Sequence, residues 1–189
     1  MAVDRAVLLT PGAGAGRDQP SLVAVESALS GDGVAVERMD FPYRLAGRKA
    51  PDRLPVLVAA VGAGAGELAS RTGSAPERLV LGGRSMGGRV CSVAVAEGLP
   101  ALGLVLISYP LHPPGRPDRL RTEHLPQVAV PTLFVSGTRD AFGTPAELDA
   151  AAGLVAGPVT QAWIDGGDHG LRGRDAQVAA VVRSWVLSL

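Results

Sequence analysis

Ser85 stands in Gly83-Arg84-Ser85-Met86-Gly87, a G-x-S-x-G pentapeptide. A serine hydroxyl is a weak nucleophile unless something presents and activates it. Here a short apolar run, Leu79-Val80-Leu81, leads in, and a helical apolar pattern through Val90, Val93 and Ala94 leads out. Strand, G-x-S-x-G, helix is the context in which the motif becomes a nucleophile elbow, a strained turn that lifts the hydroxyl above the sheet edge. The flanking positions must be small because strand and helix pass close together there. Gly82, Gly83, Gly87 and Gly88 meet that demand. The plainer alternative is a glycine-rich βα turn with an incidental serine.

An activated serine needs a base, and the base needs an orienting acid. Three histidines are available, His112, His124 and His169, and all follow Ser85. His112 sits in Tyr-Pro-Leu-His-Pro-Pro-Gly, where prolines hold the chain out of helix and strand, and reads as a surface loop residue. His124 lies in Arg-Leu-Arg-Thr-Glu-His and reads as solvated. In residues 159–170 an alternating strand (Val159, Ala162, Ile164) runs into a glycine loop that presents His169, which can reach over the sheet edge. For the acid, Leu133-Phe134-Val135 reads as a buried strand and Ser136-Gly137-Thr138 as its turn. Asp140 follows at the same strand end as Ser85, placed to accept the Nδ1 proton of His169. Asp165 and Asp168 are rivals by nearness, although loop neighbours of this kind commonly shape their own loop.

An acyl transfer also needs donors for the developing oxyanion. Behind such an elbow, one N–H comes from the residue after the serine, here Met86, and the other from the loop after an early strand. Pro11-Gly12-Ala13-Gly14-Ala15-Gly16 follows the run Ala6–Thr10 and fits that role, with Ala13 the first candidate and Gly14 the next. The same glycines do not make a nucleotide loop. Position 17, where G-x-G-x-x-G needs glycine, is Arg17, and no Gly-Lys-Ser/Thr follows.

These groups must be positioned by a frame. Apolar runs predict strands near 5–10, 34–39, 78–82, 102–108, 131–136 and 159–165. Helical spacing predicts helices near 19–30, 54–71, 86–98, 145–153 and 175–188. The helix at 54–71 contains Gly62-Ala63-Gly64-Ala65-Gly66, which weakens it but allows close packing on a sheet. The alternation implies an α/β fold, a mostly parallel sheet of about six strands covered by helices on both faces. Residues 102–107 form the most continuously apolar run and predict a central strand. The proline-rich stretch 110–131 is the one long connection. It is too short for a helical lid, so a minimal or absent lid and an open site are expected. A chain of 189 residues fits one domain spanning 1–189 and can bury about 70% of its unfolded surface.

Together these segments resemble the α/β-hydrolase superfamily. The closer resemblance is to its small, lid-poor branch, similar to dienelactone hydrolase and to proteins of the KANSL (NSL-complex subunit three) and testis-expressed-thirty type. It is carried by Thr-Pro-Gly-Ala-Gly at 10–14, Phe-Pro-Tyr at 41–43, Gly-Gly-Arg-Ser-Met-Gly-Gly-Arg at 82–89, Gly-Thr-Arg-Asp with Phe-Gly at 137–143, and Asp168-His169. The early loop of that branch usually opens His-Gly-Ala-Gly, whereas this one opens Pro11-Gly12. The resemblance implies the chain order serine, acid, histidine, which Ser85, Asp140 and His169 satisfy, and a serine esterase or thioesterase acting on a small acyl substrate. It also admits a non-catalytic scaffold, since members of this superfamily are thought to act that way.

Composition narrows the partners. Basic and acidic residues number 18 each, for a formal net charge of zero, so nothing argues for nucleic acid. No apolar run approaches the ~20 residues that span a membrane. The N-terminal residues enter a strand directly and show no signal-peptide pattern. The one cysteine, Cys91, reads as a small buried apolar residue, and a cytoplasmic location is the default expectation. No metal-ligand spacing and no cofactor motif is present. Arg17, Arg84, Arg89 and Arg139 flank the site segments and could grip a carboxylate or phosphate. Arg89 and Arg139 read instead as braces paired with Asp18, Asp40 or Asp140, and Arg84 is open either way. Tyr43, Tyr109 and Phe142 are candidate walls. Oligomeric state has no signal in the sequence.

Overall fold

A computed structural model describes residues 5–189; the direct entry of residues 1–4 into a strand lies outside the described residues. Six parallel strands, β1 (Ala6–Thr10), β2 (Ala35–Arg38), β3 (Leu79–Arg84), β4 (Gly103–Ile107), β5 (Thr132–Gly137) and β6 (Val159–Ile164), form one sheet in the order β2-β1-β3-β4-β5-β6. The helices are α1 (Pro20–Ser30), α2 (Pro42–Leu45), α3 (Leu54–Thr72), α4 (Met86–Ala96), α5 (Pro145–Ala152) and α6 (Asp175–Ser188). The expected α/β class and the central place of β4 are therefore what the chain adopts.

Period-two alternation divides the strand side chains between two cores. Leu8, Leu81, Leu104, Leu106 and Phe134 point to one face, where Leu57, Val61, Ala65 and Leu68 of α3 and Val90 and Ala94 of α4 cover them. Val7, Leu9, Val80, Val105, Ile107, Leu133 and Val135 point to the other, covered by Leu22, Val25 and Leu29 of α1 and Val178 and Val182 of α6. Burying a side chain of this size contributes about 1.5–3 kcal/mol, so both faces are required to hold the sheet. The edge strands β2 and β6 are mostly half-buried.

Local chemistry sets the helix ends. Prolines begin α1, α2, α3 and α5, where a missing N–H costs nothing. Thr144 and Glu147 make a reciprocal capping box on α5. The glycine tract of α3 is helical as expected. A Cβ at Gly64 would stand 3.1 Å from Met39 Sδ and 3.5 Å from Leu8 Cδ2, so the absent side chain lets α3 lie tight on β1. Two kinds of element escaped the sequence reading: α2, and the short 3-10 turns Pro76–Arg78 and Leu125–Gln127. Each is shorter than the window over which apolar periodicity can be read.

Strand order places the site. The chain leaves β1 toward β2 on one side and continues from β3 toward β4, β5 and β6 on the other. Loops beyond β1 and β3 therefore diverge, opening a crevice at the carboxyl ends of the strands.

Candidate active site

Ser85 follows β3 directly and caps α4 with φ 51° and ψ −117°. A non-glycine residue with positive φ stores strain that the surroundings must hold. Here they do so by hydrogen bonds on both sides: the Ser85 N–H donates to Ile107 O at 2.8 Å and Arg89 N–H donates to Ser85 O at 3.1 Å. A Cβ on Gly83 would run into Thr10 Oγ1 and its carbonyl, and one on Gly87 would meet Thr10 O at 2.5 Å. The elbow glycines are thus demanded by the close passage of β1.

Asp140 and His169 come from loops beyond β5 and β6, which are stitched together. Thr138 N–H donates to Ile164 O and Arg139 N–H to Gly167 O, at 3.1 and 2.8 Å. Gly166 N–H donates to Thr138 Oγ1, which donates to Asp165 Oδ1. Asp165 therefore serves loop structure. The Asp140 carboxylate is buried and accepts the Phe142 N–H at 2.8 Å. His169 Nδ1–H donates to Asp140 Oδ2 at 2.8 Å, with Oδ1 at 3.0 Å. That bond fixes the tautomer and leaves Nε2 with its lone pair. Ser85 Oγ lies 2.9 Å from Nε2, within reach for a hydroxyl to donate to it. The Phe142 ring stacks on the imidazole with centroids 3.9 Å apart and planes 26° apart.

A cleft of about 440 Å³ opens onto this pair, lined by Gly12, Ala13, Gln19, Arg84, Ser85, Met86, Arg89, Pro110, Arg121, Phe142 and His169. The loop beyond β1 is held open by two groups. Gly12 N–H donates to Gln19 Oε1 at 2.9 Å, and Gly14 N–H donates to Tyr43 Oη at 3.2 Å. Gly14 is thereby spent as a donor. Ala13 and Met86 N–H have no partner among the described residues. Gln19 went unrecognised in the sequence; its only trace is a poor capping residue standing before Pro20.

Other candidates fall elsewhere. Tyr43 and Tyr109 are fully buried and do not line the cleft. Tyr43 supports the loop beyond β1, and Tyr109 Oη donates to Arg121 O at 2.6 Å while its burial pushes the phenol pKa up. His112, expected at the surface, is buried, with Nδ1–H donating to Pro113 O and Nε2 3.4 Å from Glu147. His124, expected to be solvated, is half-buried with Nε2 2.7 Å from Ser92 Oγ. Burial, then the charge of Arg89, depresses its pKa from 6.5 to about 4. The reason is common to both: the stretch 110–131 folds inward, His112 N–H donating to Phe142 O at 3.0 Å and Leu111, Leu125 and Val128 joining the core on the α4 side of the sheet. Cys91 is buried as expected, and burial raises its thiol to about 12.

The arginines also depart from expectation. Arg89 and Arg139 make no ion pair among the described residues, so neither braces a loop through Asp18, Asp40 or Asp140. Arg17 pairs with Glu37 at 3.1 Å. The Arg84 guanidinium turns to the His169 carbonyl and donates to it. Burial lowers its pKa, against the pull of Asp175, Asp140 and Asp168.

The family profile described as an alpha/beta hydrolase domain matches residues 3–184, and the chain belongs to that family. It is similar in structure to dienelactone hydrolase from Anabaena variabilis, at 22% identity over 98% of this chain and 87% of that one, with a TM-score of 0.78. An alpha-beta serine hydrolase homologue from Coxiella burnetii shares 15% identity over 97% of this chain and 86% of that one, TM-score 0.79. Est1E from Butyrivibrio proteoclasticus shares 15% identity over 97% and 87%, TM-score 0.79. At these identities the likeness is one of fold.

Proposed function

We propose that the protein is a serine hydrolase that cleaves small acyl esters or thioesters through an acyl-enzyme on Ser85. The observation that carries this reading is the continuous path Ser85 Oγ, His169 Nε2, His169 Nδ1, Asp140 Oδ2, with steps of 2.9 and 2.8 Å, opening on a cleft. His169 takes the hydroxyl proton as Ser85 Oγ bonds to the acyl carbon. The resulting imidazolium is stabilised by the Asp140 carboxylate. Met86 and Ala13 N–H hold the oxyanion, each worth about 3 kcal/mol in the transition state. The tetrahedral intermediate collapses as His169 returns the proton to the departing alcohol or thiol. Water, deprotonated by His169, then attacks the acyl-enzyme, and Ser85 leaves with the proton.

The small size of the cleft supports short acyl groups. Membership of the alpha/beta hydrolase family supports hydrolytic chemistry at this serine. No described helix is long and apolar enough to cross a membrane. The test is labelling with a fluorophosphonate and mapping of the adduct by mass spectrometry. Covalent label on Ser85, abolished in Ser85→Ala and in His169→Ala, is the expected result. A folded protein that takes no label overturns the reading.

A further inference from the structure

The wall of the cleft beside Ser85 is cationic. Arg84, Arg89 and Arg121 all line it, and no aspartate or glutamate does. Arg84 is committed to the His169 carbonyl. Arg121 donates from Nη1 to Pro110 O at 3.0 Å, which anchors the group without neutralising it. The Arg89 guanidinium makes no hydrogen bond or ion pair among the described residues, and its Nε is buried. A buried, unpartnered donor on a charged group carries a penalty of a kind that native structures rarely leave unanswered.

Arg89 and Arg121 also feel each other. Burial lowers the Arg121 pKa first, and the charge of Arg89 lowers it further. Two guanidiniums that repel each other at the wall of a reaction cleft are arranged to receive negative charge, since planar forks match carboxylate and phosphate oxygens. Position reinforces this. Arg89 N–H bonds to Ser85 O, so Arg89 lies one helical turn beyond the serine. It also stands in the first turns of α4, where a cation opposes the helix dipole and an anion is welcome.

We propose that Arg89 and Arg121 form a subsite for a carboxylate or phosphate borne by the ester, so that the cleft selects anionic esters over neutral ones of equal shape. This rests on the serine-hydrolase reading of Ser85. The shared recognition element is a compact oxyanion on the substrate, distinct from the oxyanion formed during reaction.

The test compares kcat/KM within two matched pairs. Nitrophenyl hydrogen glutarate is set against nitrophenyl valerate, and acetylglycerol phosphate against acetylglycerol. At least one pair is expected to favour the anion by about tenfold or more, and which pair does so distinguishes carboxylate from phosphate. Arg89→Gln and Arg121→Gln are each expected to lower that ratio by about tenfold, mainly through KM, with Arg89→Lys retaining part of it. Arg121→Gln loses the Pro110 anchor and can fail to fold. Arg89→Gln removes no partner within the chain and decides the matter alone. Ratios near one in both pairs, or a preference that Arg89→Gln does not change, overturn the proposal. Glutarate and inorganic phosphate are also titrated calorimetrically into the Ser85→Ala protein, with and without Arg89→Gln. Arginine-dependent binding there, with no fluorophosphonate label on the unmodified protein, would keep the subsite while removing the hydrolase reading. Label on Ser85 with no anion preference and no binding would do the reverse.

Discussion

Helix α4 carries two serine–histidine pairs, and they are chemically opposite. Ser85 and His169 are 2.9 Å apart, Ser92 and His124 2.7 Å. Distance alone would rank the second pair first. Ser92, however, donates its hydroxyl proton to Arg89 O at 2.8 Å, so it must accept from His124. That imidazole is the donor and has no free lone pair to take a proton from the serine. Among the described residues no carboxylate bonds to it, and its depressed pKa makes the imidazolium unfavourable. Ser92 is fully buried within the regular helix, whereas Ser85 stands at positive φ on the cleft. On the proposed reading, what sets Ser85 apart is the direction of its hydrogen bonds, the carboxylate behind its histidine and the strain that exposes it. The Ser92 pair is a clamp holding the 110–131 connection to α4.

Exchanging or removing parts of each pair sharpens the contrast. Ser85→Ala is expected to cost about 10⁴-fold or more in kcat/KM for a hydrolysed ester with Tm nearly unchanged; steady-state kinetics beside a melting curve reads both. Asp140→Asn, which leaves shape but reverses the preferred tautomer of His169, is expected to cost about 10³–10⁴-fold, mostly in kcat. Ser92→Ala should do the opposite: stability falls by about 1–3 kcal/mol because His124 loses its acceptor, while kcat/KM stays within a few-fold. Urea unfolding checks it, and a large activity loss at unchanged stability would erase the distinction between the pairs.

The smallest effect is one of pH. Unfolded, His124 binds a proton near 6.5; folded, only near 4. Between these values the unfolded state holds more protons, so stability falls as pH drops from about 6.5 toward 4. With its half-exposed ring screened by water, the loss is about 0.5–1 kcal/mol per pH unit. In His124→Gln this slope should flatten, as measured by Tm at pH 7 and pH 5.

The candidate site could be read from the sequence where its features are written in adjacent residues. Gly83 to Gly87, the strand before and the helix after state the elbow locally, and Asp140 and His169 each close a strand–turn unit. Gln19, Arg121 and the Ser92–His124 clamp were not legible. Their partners, Gly12, Tyr109 with Pro110, and one another, are joined only when the irregular stretch 110–131 or the loop beyond β1 folds onto the sheet. Such a stretch carries no period that betrays which side faces inward. Tyr43 was misplaced for a related reason: a buried hydroxyl needs a partner, and the Gly14 N–H that supplies it is 29 residues away. The regular frame was easier, because period two along β1, β3, β4 and β5 and helical spacing in α3 are repeated many times over.

The stitching between the loops beyond β5 and β6 has a mechanical consequence. Asp140 and His169 ride on a single stiff plate, cross-tied at Thr138, Arg139, Gly166 and Gly167. Ser85 follows β3, with β4 between that strand and the plate. The Arg84 guanidinium, reaching to the His169 carbonyl, is a strut across the seam. We therefore expect warming or pressure to load the joint between serine and histidine before the joint between histidine and aspartate, so that the seam gives first.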